Sequence, residues 1–188
     1  IAGVLFAGSL TDRFGRKIVL VLSAVLFSVS ALGCMLSANI TQLVIYRIIG
    51  GIGIGVASIV SPLYIAEISI PAYRGRLVSL HRLAITVGFL GAYLANYGLL
   101  QFSGHLISAD AIRGVTGKIF GTEAWRGMLG MESVPAVVFL IVLAFIPESP
   151  RWLIVKGRES AAMVILRKIY GDREAQVQAG HVKSLVAS

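Results

Sequence analysis

Four long apolar runs, each bare or nearly bare of charge, constrain this 188-residue chain more than any other feature. Ile18 to Ala38 and Leu83 to Leu100 contain no charged residue; Ile40 to Ala66 contains only Arg47, and Gly127 to Pro147 only Glu132. A hydrocarbon layer about 30 Å thick is crossed by roughly 20 apolar helical residues, so each run is read as a membrane span. The third extends backwards through Gly75–Arg82, and Ile1 to Thr11 reads as the second half of a further helix. Hydrophobic residues make up 56% of the chain and charged residues 14%, against ~25% charged in soluble domains. Such a chain cannot clothe a soluble enzyme in polar groups. The expected class is an all-α membrane protein, cut from a longer one, since the chain opens inside an apolar segment with neither an initiator Met nor a signal-peptide n-region.

The net charge of +8 could by itself suggest nucleic acid, but its distribution says otherwise. Arg13, Arg16 and Lys17 fall in the first connection, Arg74, Arg76 and Arg82 in or beside the third, and seven more basic residues follow Pro147. The opposite side has only Arg113, Lys118 and Arg126, so thirteen basic residues oppose three. That is the positive-inside pattern: the first loop, the third loop and the tail are cytoplasmic, and nucleic acid is set aside. Asn39-Ile40-Thr41 is then a tight uncharged outer turn and Gln101–Trp125 an outer loop. In the tail, Ser160 to Ile169 places Ala161, Ala162, Ile165 and Ile169 on one side, the pattern of a short amphipathic helix lying against the membrane face. Cys34 is alone, so neither an intrachain disulfide nor a cysteine metal cluster is expected. His81, His105 and His181 are isolated from one another and from Cys34, leaving no nucleophile–base constellation, and neither a metal nor another cofactor is expected.

Charges inside spans are costly and functional by default. Counted inward from the outer face, Arg47 lies about 10 Å and Glu132 about 8 Å along their helices at 1.5 Å per residue. At matched depth they either pair directly or share a water-filled cavity. The arrangement serves either a proton-loading site whose arginine moves or a static ion pair. On the third span Arg82, Phe89, Tyr93 and Asn96 fall within a narrow arc at 100° per residue, with Thr86 beside them. The stripe either lines a cavity for a polyhydroxylated ligand or glues helices together. Gly50, Gly51, Gly53 and Gly55 have no preceding strand and no following lysine, so close helix packing explains them better than a phosphate loop.

Three motifs sit at the cytoplasmic face: Gly8-x-x-x-Asp12-Arg13-x-Gly15-Arg16-Lys17, Pro62-x-Tyr64-x-x-Glu67 followed by Arg74-Gly75-Arg76, and Pro147-Glu148-Ser149-Pro150-Arg151. Each brings carboxylates and arginines to one membrane face, where charge-assisted pairs can latch helices in one state and release them in another. With Arg47-x-x-Gly-Gly-x-Gly-x-Gly and Trp125-Arg126, the chain from Ile1 to about Tyr170 resembles the sugar porter family of the major facilitator superfamily, in order and spacing.

The resemblance implies a twelve-helix fold of two six-helix halves and alternating access to a site between them. Residues 1–147 would be the N-terminal transmembrane bundle lacking helix one, from part of helix two through helix six. Residues 148–188 would begin the cytoplasmic helical domain. The partners implied are a sugar-like substrate, protons, the lipid bilayer, and the missing helix one and C-terminal half of the same protein, in a bacterial inner membrane. Arg16, Glu67, Arg74, Glu148 and Arg151, with Asp12 and Arg13, match the family's cytoplasmic charge network. Arg47 and Glu132 match positions that bacterial proton–sugar symporters use in proton coupling; facilitative relatives commonly lack the carboxylate. The implied function is proton-coupled sugar transport, with a facilitative uniporter or a sugar sensor as the alternative. In one departure, Arg82 stands where the family usually has a sugar-binding glutamine, and Phe89 where a bacterial xylose transporter has a second. Arg82 then reads an anionic solute or pairs with a carboxylate elsewhere in the protein.

Overall fold

A computed structural model describes residues 2–108 and 123–187. The described residues form nine helices: α1 (Ala2–Phe14), α2 (Arg16–Leu36), α3 (Ile40–Ile68), α4 (Arg74–Ser108), α5 (Ala124–Met131), α6 (Ser133–Phe145), α7 (Pro150–Val155), α8 (Glu159–Tyr170) and α9 (Asp172–Ala187). Helices α2, α3, α4 and the α5–α6 pair are long and apolar enough to cross a membrane.

The bundle is organised around the α2–α3 hairpin. Small residues let the two backbones approach: a Cβ on Gly50 would collide with the Ser30 side chain, and one on Gly53 would meet the Ser23 carbonyl at 3.0 Å. Ser30 Oγ uses the closeness to donate to the Tyr46 carbonyl at 2.7 Å. A Cβ on Gly51 would have no neighbour within 4 Å among the described residues. The outer turn is Ser37-Ala38-Asn39 rather than Asn39-Ile40-Thr41, because Ile40 already begins α3. Ala7 of α1, Val19, Leu20 and Ala24 of α2, Val56, Val60 and Tyr64 of α3, and Leu143 of α6 form the buried core.

Helix α4 is packed differently. It runs well beyond the Leu83–Leu100 apolar run, because nothing interrupts it between the turn after Pro71 and Ser108. Gln101–Ser108, expected in a loop, is therefore helical, as is Ala124–Trp125; residues 109–122, with Arg113 and Lys118, lie outside the described residues. Of the side chains described on α4, only Leu99 and Ser103 are buried.

The last span is divided at Glu132. Pro135 has no N–H, so the Met131 carbonyl four residues back loses its helical donor, and α5 ends there. In the tail, α7–α9 pack on one another around Trp152, Leu153, Ile154, Ala162, Leu166, Ala175 and Ala179. The buried face of α8 is thus Ala162 and Leu166 with Ile165 partly covered, whereas Ala161 is exposed and Ile169 half-exposed. Partners among α7–α9 cover Ala162 and Leu166. Tyr170 Oη ties the tail to the bundle by donating to the Ser69 carbonyl at 3.3 Å.

Candidate functional site

At the basic end of the bundle a single glycine joins α1 to α2, so the expected first loop is almost wholly helical. Gly15 has φ 98°, a conformation that L side chains rarely adopt. The turn aims the first amides of α2 at the chain segment following α6. Glu148 fills that position: its Oε1 accepts from the backbone N–H of Arg16 and Lys17, each at 3.0 Å, and of Ser149 at 2.9 Å. A carboxylate here satisfies orphan donors and complements the positive end of the α2 dipole. Lys17 Nζ caps the other partner, donating to the Ala144 carbonyl in the last turn of α6 at 3.1 Å.

Beside this joint Arg16 Nε lies 3.0 Å from Glu67 Oε2, and Arg16 Nη2 donates to Glu67 Oε1 at 3.1 Å. The two side chains are only 11% and 5% exposed. Arg16 Nη1 also donates to the Thr11 carbonyl at 3.2 Å, and Ser149 Oγ donates to Glu67 Oε2 at 2.5 Å. Tyr64 Oη donates to the Pro147 carbonyl at 2.7 Å, and Trp152 Nε1 to the Asp12 carbonyl at 3.1 Å. These bonds tie α1, α2, α3 and the α6–α7 junction into one knot.

At the opposite end, Arg47 Nη1 of α3 lies 3.4 Å from Glu132 Oε1, and this pair is half-open, at 48% and 37% exposure. Glu132 sits where Pro135 divides the span, so its carboxylate projects from a helix end rather than from a continuous ladder. It also lines a cavity of about 630 Å³ between α4, the α5–α6 joint and Phe27 of α2. The α4 wall is mostly small (Gly88, Gly91, Ala92, Ala95), and Ile85, Phe89 and Asn96 complete it. The ion pair at the lip of this cavity is open to its surroundings, whereas the Arg16–Glu67 pair is enclosed.

The profile of the family described as "Sugar (and other) transporter" matches residues 1–186. The chain belongs to this family. A putative metabolite transport protein, YwtG, of Bacillus subtilis (strain 168) is 41% identical over 177 residues, covering 94% of this chain and 34% of the relative. The D-xylose-proton symporter of Escherichia coli (strain K12) is 38% identical, over 97% of this chain and 38% of its own. Among solved structures, the major facilitator superfamily proton:xylose symporter XylE bound to 6-bromo-6-deoxy-D-glucose superimposes with TM-score 0.84 at 36% identity. That match covers 99% of this chain and 40% of the other. A partially occluded inward-open conformation of XylE from E. coli gives TM-score 0.82. The fold is thus part of a major facilitator fold, and this chain spans a little over a third of the length of the curated relatives it matches.

Within this sugar transporter frame the expected residues are brought together unequally. Arg16, Glu67 and Glu148 meet in the knot, but Glu148 is held by backbone amides rather than by an arginine. Asp12 reaches Arg16 at 3.4 Å while itself 76% exposed. Arg13 lies over the Phe14 ring, 5.4 Å from its centroid. Arg13, Arg74 and Arg151 are exposed, and none of them forms an ion pair with Glu67 or Glu148. The α4 stripe also divides: Phe89 and Asn96 line the cavity with Glu132, whereas Arg82, Thr86 and Tyr93 stand on the neighbouring open face.

Some participants were missed from the sequence. Ser149 is fully buried, bonded to Glu67 and accepting from Trp152 N at 3.4 Å as the N-cap of α7; Ser-Pro before an apolar run is a helix-start signal that could have found it. Arg126 stacks on Trp125, pairs with Glu123, and donates to the Met35 and Ser37 carbonyls at the end of α2. It is a helix C-cap as well as an outer charge.

Proposed function

We propose that this chain is the greater part of the N-terminal bundle of a proton-coupled sugar transporter of a bacterial inner membrane. Residues 1–147 form the membrane bundle from part of helix two through helix six, and residues 148–188 begin a cytoplasmic helical domain. The basic end with the Arg16–Glu67 knot is cytoplasmic, in keeping with the positive-inside bias. A C-terminal half completes the sugar site, and the chain alone is not expected to transport.

The observation that carries the reading is the 3.4 Å Arg47–Glu132 contact at the lip of the cavity. Relatives named as proton symporters of xylose and arabinose support the same assignment. In this reading Glu132, with Arg47 beside it, carries the coupled proton. Asn96 and Phe89 present an amide and a ring on the α4 side of the same space. The cytoplasmic knot acts as the closing contact for one of the alternating states.

The test is uptake in proteoliposomes containing the full-length protein with Glu132→Gln. Glutamine keeps a hydrogen-bond acceptor for Arg47 but cannot titrate. Proton-driven accumulation is expected to be lost while sugar counterflow continues. Unchanged accumulation against a gradient would refute the coupling, and absence of counterflow in the wild type would favour a sensor.

A further inference from the structure

Helix α4 carries three arginines and no carboxylate over Arg74–Ser108. Two of them, Arg74 and Arg76, belong to its first turn, and Arg76 lies 6.0 Å from the Tyr73 ring centroid. The third is unlike them. Arg82 is eight residues beyond Arg74, roughly 12 Å along the axis, immediately before the uncharged run Leu83–Leu100. His81, its neighbour, turns into the bundle and lines a small apolar cavity with Phe27, Gly53, Ser58, Ser61 and Phe139. One residue later is a 100° rotation, and that step takes the Arg82 side chain out to the open face.

Among the described residues no carboxylate pairs with Arg82. The Thr86 hydroxyl, one turn above, donates to the Arg82 carbonyl at 3.3 Å, which leaves its oxygen free to accept. Phe89, another turn along, is 65% exposed and offers a flat apolar surface. A guanidinium, a hydroxyl acceptor and an aromatic ring therefore succeed one another over about 10 Å. A cation among spanning helices is costly without a partner, and a guanidinium fork matches one carboxylate in charge and geometry.

Resting on the transporter reading above, we propose that Arg82 makes this protein select a carboxylate-bearing sugar over a neutral one. The carboxylate sits on the guanidinium, and the sugar ring lies against Thr86 and Phe89. A phosphorylated sugar is less suited, because a dianion calls for a second cation and the next on α4, Arg76, lies six residues below, roughly 9 Å.

The experiment measures affinities of the purified full-length protein, wild type, Arg82→Gln and Arg82→Lys, for D-glucuronate, D-glucose, D-xylose and D-glucose 6-phosphate. Unliganded melting temperatures show whether each variant is folded. The wild type is expected to bind D-glucuronate in preference to the other three, Arg82→Lys to retain part of that preference, and Arg82→Gln to bind glucuronate about 10- to 100-fold more weakly, as loss of a charged hydrogen bond implies. Neutral sugars binding as well as glucuronate to the wild type would overturn the proposal while leaving the transporter reading intact, and would point to a carboxylate of the protein itself as the partner of Arg82. Preference for the phosphate also overturns it. Binding of none of the four overturns the proposal and the sugar-transport reading together. If Arg82→Gln does not fold, the wild-type and Arg82→Lys preferences decide.

Discussion

Two arginine–glutamate pairs lie at opposite ends of the same bundle and are built in opposite ways. Arg16–Glu67 is sealed, with two contacts of about 3 Å, a serine hydroxyl on the carboxylate and a backbone carbonyl on the guanidinium. Arg47–Glu132 has one contact of 3.4 Å, more than a third of each side chain open, and a cavity beside it. A sealed ion pair has already lost its hydration and depends on every remaining bond; an open one can exchange its partner for water, a proton or another group at little cost. The difference suits a closing contact at one end and an exchangeable charge at the other.

The comparison breaks most sharply at Arg16. Removing one partner of a buried pair leaves an uncompensated charge, at a cost of about 3–5 kcal/mol. Arg16→Ala is therefore expected to lower thermal stability in detergent by more than any other single change considered, with Glu67→Ala close behind because it also strands Ser149. Loss of under about 1 kcal/mol in either variant would mean that the knot is not sealed and the contrast with Arg47–Glu132 is false.

The next test leaves every charge in place. Gly15→Ala puts a methyl group where φ is 98°, 2.5 Å from Glu148 Oε2. Backbone strain of about 1–3 kcal/mol combines with displacement of the carboxylate from the Arg16 and Lys17 amides, a lost cap of about 1 kcal/mol. Glu148→Ala loses the cap alone and is expected to cost less. A Gly15→Ala variant as stable as the parent would show that the joint between α1 and α2 is pliable.

The spans and the two intramembrane charges were legible because the cost of lipid exposure writes itself into run length and into rare charges. The ends of α4 were not, since hydropathy marks where lipid is met while a helix continues until capping or proline stops it. The break at Glu132 was written in Pro135, three residues on, but hydropathy alone runs through it. Glu148 was legible as a charge and illegible as a cap, because its partners are backbone amides that carry no side-chain signature. The α4 stripe was read by angle alone, and angle places Arg82 within 20° of Phe89. Only the packing of α2 and α5–α6 shows that Phe89 and Asn96 reach the cavity with Glu132 while Arg82 does not.

The smallest effect on stability is expected at the residue proposed to carry the coupling. Glu132→Gln keeps an oxygen for Arg47, and open pairs contribute roughly 0–1 kcal/mol, so melting should shift little. A double-mutant cycle of Glu132→Gln with Arg47→Gln is expected to give a coupling below about 1 kcal/mol, whereas coupled buried groups can reach about 3 kcal/mol. Added salt should weaken the open coupling further and leave the Arg16–Glu67 coupling nearly unchanged, because screening acts on charges that ions can approach. A large, salt-independent coupling at Arg47–Glu132 would place both pairs in the sealed class. The outer charges would then be a structural clamp, and the coupling role proposed for Glu132 would fall.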